Sequence, residues 1–400
     1  MTDIAPTRPV VRLLPKTNAQ RLRFGAPWVF SDQLVLDRRT KAIPAGSIVE
    51  IQDKERTPIA LAAFNANSKI IARVLDTDLA TEIDIDWFTT RITRAYQLRE
   101  TLFDAPFYRL IHAEADGMPG VIIDRFGDTA VIQPNAVWAE ERLDDIVTAL
   151  CNVTGVVNVL KNANGRARTL EGLNEETVVL RGEISDLIPV PMNGATYMAD
   201  LMGGQKTGLF YDQRPNHAFA AKLAKGTDVL DVFSHVGGFS LAALANGANS
   251  ALAIDGSAPA LALAEKGAEA TGVADKFETR KGDAFDTMIA MGNEKAKFGV
   301  VVCDPPAFAP SKQALEAGLR AYERIARLGA NLVEPGGYLV LCSCSHAADL
   351  ARFREVSLRG IGKAGRRAQI VSTGQAGPDH PTHPYLAETS YLKALFLRLD

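Results

Sequence analysis

One stretch decides the fold: DVLDVFSHVGGFS, residues 228–240. Its first five residues are a run of strand length, and residues 234–238 form a turn with two adjacent glycines that leads into a helical pattern through Ala245. The same rhythm repeats after Pro191, with predicted strands at residues 251–255, 298–304 and 338–342 and predicted helices at residues 259–270 and 311–332. Short apolar strands that alternate with helices predict a parallel sheet covered on both faces, so we expect a doubly wound α/β fold.

The chain before residue 191 follows other patterns. Residues 49–52 and 70–75 predict strands of a small β-rich unit. Apolar spacing predicts a helix from Asp86, its expected N-cap, to about Leu102. Residues 121–124 and 129–133 predict a hairpin. We therefore expect three domains, with a β-rich domain at residues 1–82, a central α+β domain at residues 83–190 and the α/β domain at residues 191–400.

Composition narrows the class of protein. The 400 residues are 47% hydrophobic and 23% charged, which is typical of a globular soluble chain. No apolar run reaches the ~18 residues of a membrane span, and the N-terminal segment lacks the apolar core of a signal peptide, so we expect a cytoplasmic protein with no membrane partner. The four cysteines follow neither a disulfide nor a zinc spacing, so no metal is expected. Because the net charge is −3, any RNA must be held by local basic patches and by shape.

A ligand site is expected at the carboxyl ends of the predicted parallel strands. Gly237 and Gly238 permit a tight turn and a close approach of the backbone to a ligand. Asp255 ends the next strand, 17 residues after Gly238, where a carboxylate can accept both hydroxyls of a ribose. The loop lacks the G-x-G-x-x-G of dinucleotide enzymes and the lysine of a P-loop. By itself it is equally consistent with two glycines that merely close a turn.

Two later motifs favour S-adenosylmethionine as the ligand. Gly282-Asp283 follows a predicted strand and would bring Asp283 near an adenine ring. Asp304-Pro305-Pro306 puts a carboxylate at a strand end, where two prolines stop the ladder and restrain the loop. The alternative for Asp304 is a turn-forming or helix-capping residue, but an acidic residue followed by two prolines and an aromatic is a more restricted pattern.

These motifs, together with DLMGGQKTGLFYDQR at residues 200–214, resemble the large-subunit ribosomal RNA cytosine-5 methyltransferase family that carries an N-terminal PUA domain. Residues 113–128, 343–345, 379–381 and 391–393 match in order and spacing, whereas His235 and Ala307 replace an aromatic residue and a lysine of the family pattern. The resemblance implies an RNA-binding PUA-like domain at residues 1–82 and a Rossmann-like class I methyltransferase at residues 191–400. It also implies the following cofactor-binding residues: Gln205, Arg214, Phe233, Ser234, Gly237, Gly238, Phe239, Asp255 and Asp283.

Cytosine-5 methylation needs a nucleophile, because carbon 5 of cytosine is activated when a thiolate adds to carbon 6. Cys344, just beyond the last predicted parallel strand, is the candidate nucleophile, and the family resemblance points to the same residue. Asp304 would hold the base edge and share a proton with a ring nitrogen. Cys342 is the rival because it shares a strand face with Cys344, whereas Cys303 and Cys151 are expected to be buried apolar residues.

The expected partner is large-subunit ribosomal RNA, whose target base must leave its stack to be reached. Candidate contacts to the RNA backbone are Arg21, Arg23, Lys41, Lys161, Arg166 and Arg168. Two other functions stay open: methylation of an exocyclic amine of adenine or guanine, which needs no cysteine, and a non-catalytic RNA-binding role in ribosome assembly. The sequence allows a homodimer but does not determine the oligomeric state.

Overall fold

The structure, a computed structural model, describes residues 8–203 and 208–400. Its internal contacts divide the chain into two units. The first unit runs to Ser185 and takes in Asp379–Thr389, and the second contains Asp186–Pro378 and Ser390–Asp400. No helix within the described ranges is long and apolar enough to cross a bilayer. The three-domain division of the sequence stays a prediction.

The first unit begins with a small β-rich part. Its elements are β1 (Val10–Arg12), α1 (Ala19–Arg23), β2 (Trp28–Phe30), α2 (Arg38–Lys41), β3 (Ile48–Gln52), β4 (Pro58–Phe64) and β5 (Ile70–Asp76). The sheet order is β1-β3-β4-β5-β2, with β1 and β3 parallel and the other pairs antiparallel. The alternation predicted in β3 is observed, because Val49 and Ile51 are fully buried while their neighbours are partly exposed.

A second sheet completes the first unit. Its elements are α3 (Ile85–Leu102), β6 (Phe107–His112), β7 (Val121–Phe126), β8 (Thr129–Pro134), α4 (Val137–Glu140), α5 (Leu143–Thr154), β9 (Asn158–Lys161), α6 (Arg166–Glu171) and β10 (Val178–Arg181). The order is β10-β9-β8-β7-β6, and β8 and β9 form the parallel pair. The predicted hairpin is therefore β7–β8. The helix α3 begins earlier than predicted, because the Asp84 side chain, not that of Asp86, accepts the backbone N–H groups of Asp86 and Trp87.

Two of the basic residues suggested as RNA contacts are buried instead. Lys161 and Arg168 are 7% and 0% exposed, and both pair with the Glu140 carboxylate, at 2.9 and 2.8 Å. The prediction was wrong for these two, because their charges are used inside the unit. Arg23 pairs with Asp53 at 2.8 Å, whereas Arg21 and Lys41 are exposed; the side chain of Arg166 lies outside the described part of the chain.

The second unit begins with a hairpin and continues as a layered α/β structure. Its elements are β11 (Ile188–Met192), β12 (Ala195–Ala199), α7 (Arg214–Leu223), β13 (Asp228–Val232), α8 (Gly238–Ala245), β14 (Ser250–Asp255), α9 (Ala258–Thr271), β15 (Phe277–Lys281), α10 (Ala284–Asn293), β16 (Phe298–Cys303), α11 (Leu315–Leu332), β17 (Val333–Ser343), α12 (Leu350–Lys363), β18 (Ala368–Gly374) and β19 (Lys393–Leu399).

The seven strands β13–β19 form one sheet in the order β15-β14-β13-β16-β17-β19-β18. The first five are mutually parallel, and β19 runs antiparallel to β17 and β18. The central strands are apolar because both faces are covered: Val229, Leu230 and Val232 of β13 are at most 1% exposed. This confirms the predicted α/β class. The strand order reverses beside β13, so a crevice opens between the carboxyl ends of β13 and β16.

A buried ion pair in the first unit provides a test of its stability. Arg99 is 0% exposed, and its guanidinium donates to both oxygens of Asp116, at 2.6 and 2.8 Å. We predict that Asp116→Asn lowers the free energy of unfolding of the first unit by about 3–5 kcal/mol, because it leaves the Arg99 charge buried without its anion. Urea unfolding followed by tryptophan fluorescence checks this, since Trp28, Trp87 and Trp138 all lie in the first unit.

The matched control is Asp144→Asn, which changes an exposed carboxylate in the first turn of α5. It should change the free energy of unfolding by no more than about 0.5 kcal/mol. Equal effects of the two substitutions would mean that the Arg99–Asp116 pair does not hold this unit together.

Candidate active site

The crevice beside β13 holds a cavity of about 570 Å³ within the second unit. This volume lies in the ~300–1,000 Å³ range of small-molecule sites. The cavity is lined by loops that follow four parallel strands and by residues before α7 and β19. Among the predicted site residues, the following line it: Phe233, Ser234, Gly238, Phe239, Asp255, Asp304 and Cys344.

The other predicted cofactor residues have different positions. Gln205 lies outside the described residues. Arg214 begins α7 and its guanidinium lies 5.4 Å from the centre of the Tyr211 ring, while Asp283 is the exposed N-cap of α10. In the part of the chain that the structure describes, Arg214, Asp283 and Gly237 are not lining residues of the cavity. Their roles in binding remain predictions.

The loop after β13 is held by the carboxylate that ends β14. One Asp255 oxygen accepts the His235 backbone N–H at 2.9 Å, and the other accepts that of Ser257 at 2.8 Å. Phe233, His235 and Gly237 all have left-handed backbone, with φ of 65°, 50° and 79°. The two non-glycine residues carry strain there, which is common where a loop is shaped for a ligand. Each carboxylate oxygen has a second lone pair, so Asp255 can accept further donors from the cavity.

The second glycine of the pair is needed for close packing. Tyr197 donates its hydroxyl hydrogen to the Gly238 carbonyl at 3.0 Å. A Cβ atom at Gly238 would lie 2.7 Å from both Cε1 and Nε2 of His217. His217 is buried against the Phe239 ring, and this burial lowers the pKa of its imidazole to about 3, so the ring is neutral at physiological pH. A glycine is therefore required at position 238 because the His217 imidazole packs against it, and its role in cofactor binding stays a prediction.

Beneath the loop, Asp231 ties β13 to the first turn of α8. Its side chain is fully buried, and Oδ2 accepts both the backbone N–H and the hydroxyl of Ser240, at 3.0 and 2.9 Å. The pKa of this carboxyl is raised to about 6, mainly by burial and to a smaller extent by the nearby Asp255 charge, which together outweigh the stabilising bonds from Ser240. Asp231 therefore carries an energetically costly charge at neutral pH.

A chain of amides holds Asp304 after β16. Asp304 Oδ2 accepts the Gln213 side-chain amide at 2.9 Å. Gln213 Oε1 accepts the amide of Asn216 at 2.6 Å, and Asn216 also donates to the Gln375 carbonyl at 3.2 Å. Sequence reasoning missed Gln213 and Asn216. Both residues belong to the segment DQRPN at residues 212–216, of which the sequence analysis assigns only Arg214 to the site.

The four cysteines differ sharply in environment. Cys344 directly follows β17, is partly exposed and lines the cavity together with Asp304. Cys151, Cys303 and Cys342 are buried. Burial raises the pKa of the Cys303 and Cys342 thiols well above the usual value, with a further rise from nearby carboxylates. Cys342 is therefore a poor candidate for a thiolate nucleophile.

Hydroxyl groups behind Cys344 join two of the cavity loops. Ser343 donates to the Tyr322 hydroxyl at 2.9 Å, and the hydroxyls of Tyr322 and Ser345 share a bond of 2.7 Å. The Ser345 hydroxyl also accepts the Ala309 backbone N–H at 2.9 Å. These bonds connect the loop after β17, which carries Cys344, to the loop after β16, which carries Asp304.

Several polar atoms of the cavity walls fit a polar ligand. Ser234 Oγ, His217 Nδ1 and Asp212 Oδ1 are buried and have no hydrogen-bond partner among the described residues. The residues that carry them all line the cavity. Because buried polar atoms are nearly always paired in proteins, this wall is suited to a ligand with its own hydroxyl, amino and carboxylate groups. S-adenosylmethionine has these groups.

Comparisons with known proteins identify the family. A family model described as S-adenosylmethionine-dependent methyltransferase matches residues 147–398, and one described as a PUA-like domain matches residues 11–77. This chain belongs to the S-adenosylmethionine-dependent methyltransferase family. These two matches confirm the methyltransferase fold, its cofactor S-adenosylmethionine and the PUA-like region that the sequence predicts.

Relatives and solved structures agree with this membership. A protein named ribosomal RNA large subunit methyltransferase I from Aliivibrio fischeri (strain MJ11) is 34% identical over 96% of this chain and 98% of its own length. The protein of the same name from Vibrio vulnificus (strain CMCP6) is 36% identical over 92% and 94%. A Streptococcus mutans structure described as a SAM-dependent methyltransferase shares the fold, with a TM-score of 0.81 at 19% identity over 98% of this chain and 100% of that one. A structure described as a methyltransferase complexed with SAH has a TM-score of 0.82, with the same identity and coverage.

Gly238 provides a test of the cavity wall. We predict that Gly238→Ala in this methyltransferase weakens binding of S-adenosylhomocysteine by about tenfold or more, because the added Cβ displaces the His217 ring. Calorimetric titration checks this. The control is Gly292→Ala in α10, where a Cβ meets nothing within 4 Å. Unchanged affinity in Gly238→Ala would show that the His217 position does not matter for binding.

Asp231 provides a test by pH. Its folded pKa of about 6 lies above the 3.8 that is usual for an aspartate, so its contribution to stability is present in full below pH ~4 and is lost as the pH rises through 6. We predict that the free energy of unfolding of Asp231→Asn rises by roughly 1.5 kcal/mol relative to that of the native chain from pH 5 to pH 8, because folding impedes ionisation of the native carboxyl over this range. Urea unfolding followed by circular dichroism at both pH values checks this, with tryptophan fluorescence marking the transition of the first unit. If the two proteins differ in free energy of unfolding by the same amount at pH 5 and at pH 8, the pKa of Asp231 is not raised in the folded chain.

Proposed function

We propose that this methyltransferase transfers the methyl group of S-adenosylmethionine to carbon 5 of a cytosine in large-subunit ribosomal RNA, with Cys344 as the nucleophile. The observation that carries the proposal is that a partly exposed cysteine and the Asp304 carboxylate line one cavity. Carbon 5 requires a nucleophile of this kind, because cytosine does not attack a methyl donor from carbon 5 unaided. The names of the curated relatives and the PUA-like region support ribosomal RNA as the substrate.

The cofactor is assigned to the loop after β13 and the end of β14. Asp255 would accept the ribose hydroxyls with the lone pairs that the backbone of His235 and Ser257 leaves available. Ser234 would bond the polar amino-acid end, and Phe233 and Phe239 would form apolar walls. When bound, the cofactor supplies an electrophilic methyl group on a sulfonium centre. The sequence motifs support four further proposed binding residues: Gln205, Arg214, Gly237 and Asp283.

The proposed reaction begins when the Cys344 thiolate adds to carbon 6 of the cytosine. This forms a C–S bond and moves the electron pair of the C5–C6 double bond to carbon 5, which then takes the methyl group. A base removes the proton from carbon 5, the double bond re-forms, and the C–S bond breaks. The bond between the methyl group and the sulfonium sulfur breaks in the transfer, so the products are 5-methylcytosine, S-adenosylhomocysteine, the regenerated thiolate and the proton held by the base.

Asp304 is assigned to the ring nitrogen of the same base. Negative charge develops on the pyrimidine ring as the thiol adds, so a carboxyl that shares a proton at that nitrogen stabilises the adduct. Gln213 orients the carboxylate through its amide, and Asn216 in turn orients Gln213. The Ser345 hydroxyl, which bonds the Tyr322 hydroxyl, accepts the Ala309 backbone N–H and so ties the loop of Cys344 to the loop of Asp304.

Two alternatives were open from the sequence. Methylation of an exocyclic amine would use the Asp304-Pro305-Pro306 loop and its following aromatic residue. Phe308, however, packs on the Tyr322 ring at 5.0 Å and is not a lining residue of the cavity among those that the structure describes. A non-catalytic assembly factor is disfavoured because the chain belongs to a methyltransferase family.

The decisive experiment compares Cys344→Ala with Cys342→Ala. Each protein is incubated with tritiated S-adenosylmethionine and unmodified large-subunit ribosomal RNA, and the labelled nucleoside is identified after nuclease digestion. We predict label in 5-methylcytidine for the native chain and a loss of at least 1,000-fold, on the order of ~4 kcal/mol of barrier, in Cys344→Ala. Cys342→Ala should retain activity within about tenfold, because its thiol is buried away from the substrate.

Each other outcome has a definite meaning. Label in adenosine or guanosine that survives Cys344→Ala establishes the exocyclic-amine alternative. Label in 5-methylcytidine that survives Cys344→Ala but is lost in Cys342→Ala moves the nucleophile to Cys342. No label in any RNA, with S-adenosylhomocysteine still bound, excludes ribosomal RNA as the substrate under these conditions.

A further inference from the structure

Lys393 is a buried ammonium group next to the proposed nucleophile. It is the first residue of β19 and is 8% exposed. Its partner across the sheet is Ser343, the residue that directly precedes Cys344. The Lys393 ammonium donates to the carbonyl oxygens of Ser345 at 2.7 Å and Ala348 at 2.8 Å. The lysine therefore reaches into the loop that begins with Cys344.

The hydrogen bonds of Lys393 leave its charge uncompensated. Both acceptors are neutral carbonyl groups, and no carboxylate oxygen of a described residue lies within 4.0 Å of the ammonium. A buried cation without an anion is unfavourable, and proteins keep such groups mainly where they serve a function. A thiolate at Cys344 is an anion that would compensate this charge.

The surrounding charges agree with this pairing. Burial lowers the pKa of Lys393, while negative charge at Cys344 and, to a smaller extent, at Asp349 raises it. Asp349 is exposed and caps α12 through the Arg352 backbone N–H at 2.8 Å. Burial raises the pKa of the Tyr322 phenol, which bonds the hydroxyls of Ser343 and Ser345 on either side of Cys344, and negative charge at Cys344 adds to this rise. The carboxylates of Asp212, Asp255 and Asp304 line the same cavity as Cys344, and their negative charges disfavour a thiolate there. The Lys393 ammonium acts in the opposite direction.

We propose that Lys393 is a positioning residue whose ammonium group keeps the Cys344 side chain in its thiolate form. This inference rests on the proposed function for its catalytic meaning, since a thiolate is what adds to carbon 6. The lysine does not touch the base; it acts through the charge that it presents to the loop between β17 and α12. The same carbonyl bonds that hold its ammonium also hold the Cys344 loop against β19.

The test compares Lys393→Gln with Lys393→Arg. Glutamine keeps an amide donor for the loop carbonyls but removes the charge, whereas arginine keeps the charge. The rate of Cys344 alkylation by iodoacetamide is measured from pH 5.5 to 10, with the modified residue identified by mass spectrometry. Since only the thiolate reacts, Lys393→Gln should slow alkylation at pH 7 about tenfold and move the midpoint of the profile upward, and Lys393→Arg should restore both. Lys222→Gln, an exposed lysine of α7, should change neither.

A reciprocal measurement avoids any change at the buried lysine. If the two charges are coupled, removal of the thiolate by Cys344→Ala must lower the pKa of Lys393. Linkage requires this decrease to equal the increase in the pKa of Cys344 when the ammonium is removed by Lys393→Gln. Titration of the Lys393 side-chain NMR signal in the native chain and in Cys344→Ala measures this. The inference is overturned if the alkylation profile of folded Lys393→Gln matches the native one, or if the Lys393 titration is the same with and without the thiol.

Methylation assays separate this inference from the proposed function. If both hold, Lys393→Gln lowers kcat at pH 7 about tenfold and recovers toward the native rate at higher pH, while KM for RNA is unchanged. A shifted alkylation profile together with full methylation by Cys344→Ala would retain the lysine–thiolate pair and reject Cys344 as nucleophile. Lost methylation in Cys344→Ala with an unshifted profile in Lys393→Gln would retain the nucleophile and reject the role of the lysine.

Discussion

Parallel backbone pairing of β13 with β14 on one side and with β16 on the other is the constraint on which the site depends. The register pairs Val232 with both Ile254 and Cys303. The residues that follow these three positions therefore leave the sheet at the same level, which brings the loop at Phe233 close to Asp255 and Asp304. Because β17 pairs with β16 in the same direction, Cys344 emerges at this edge as well.

Side-chain bonds to backbone then give these loops a defined shape. Asp255 holds the backbone of His235, Asp231 holds that of Ser240, and Ser345 holds that of Ala309. Two buried groups near these loops are costly for stability. Burial raises the pKa of the Asp231 carboxyl, and it lowers the pKa of His217 so that the imidazole is neutral. Such groups at the edge of a well-packed sheet are typical of a site where binding or chemistry, and not stability, dictates the residue.

Local sequence patterns predicted most of the helices and strands, but not where each begins and ends or which distant elements pack against them. The strands β13, β14 and β16 are found within one residue of the prediction, whereas α11 begins at Leu315 and β17 begins already at Val333. The residues that follow the strands were predicted to form the site because strand ends converge by geometry. Gln213, His217 and Lys393 were not predicted to lie near the site. Gln213 comes from the turn before α7, His217 from α7 and Lys393 from β19, and no local pattern specifies how these elements pack. Lys161 and Arg168 were misjudged for the same reason: only the folded unit shows that both surround Glu140.

The class of fold, the family, the glycine turn and the acidic strand ends can be inferred from local sequence, because each depends on residues that are near one another along the chain. Which side chains are accessible depends instead on how distant segments pack in the folded chain. Cys342 and Cys344 are two positions apart and would share a face of an unbroken strand, yet one is buried and the other lines the cavity. The difference arises because β17 ends at Ser343, and because Cys342 lies beside β19 and bonds the Gln213 side chain, two distant segments that meet it only in the folded chain.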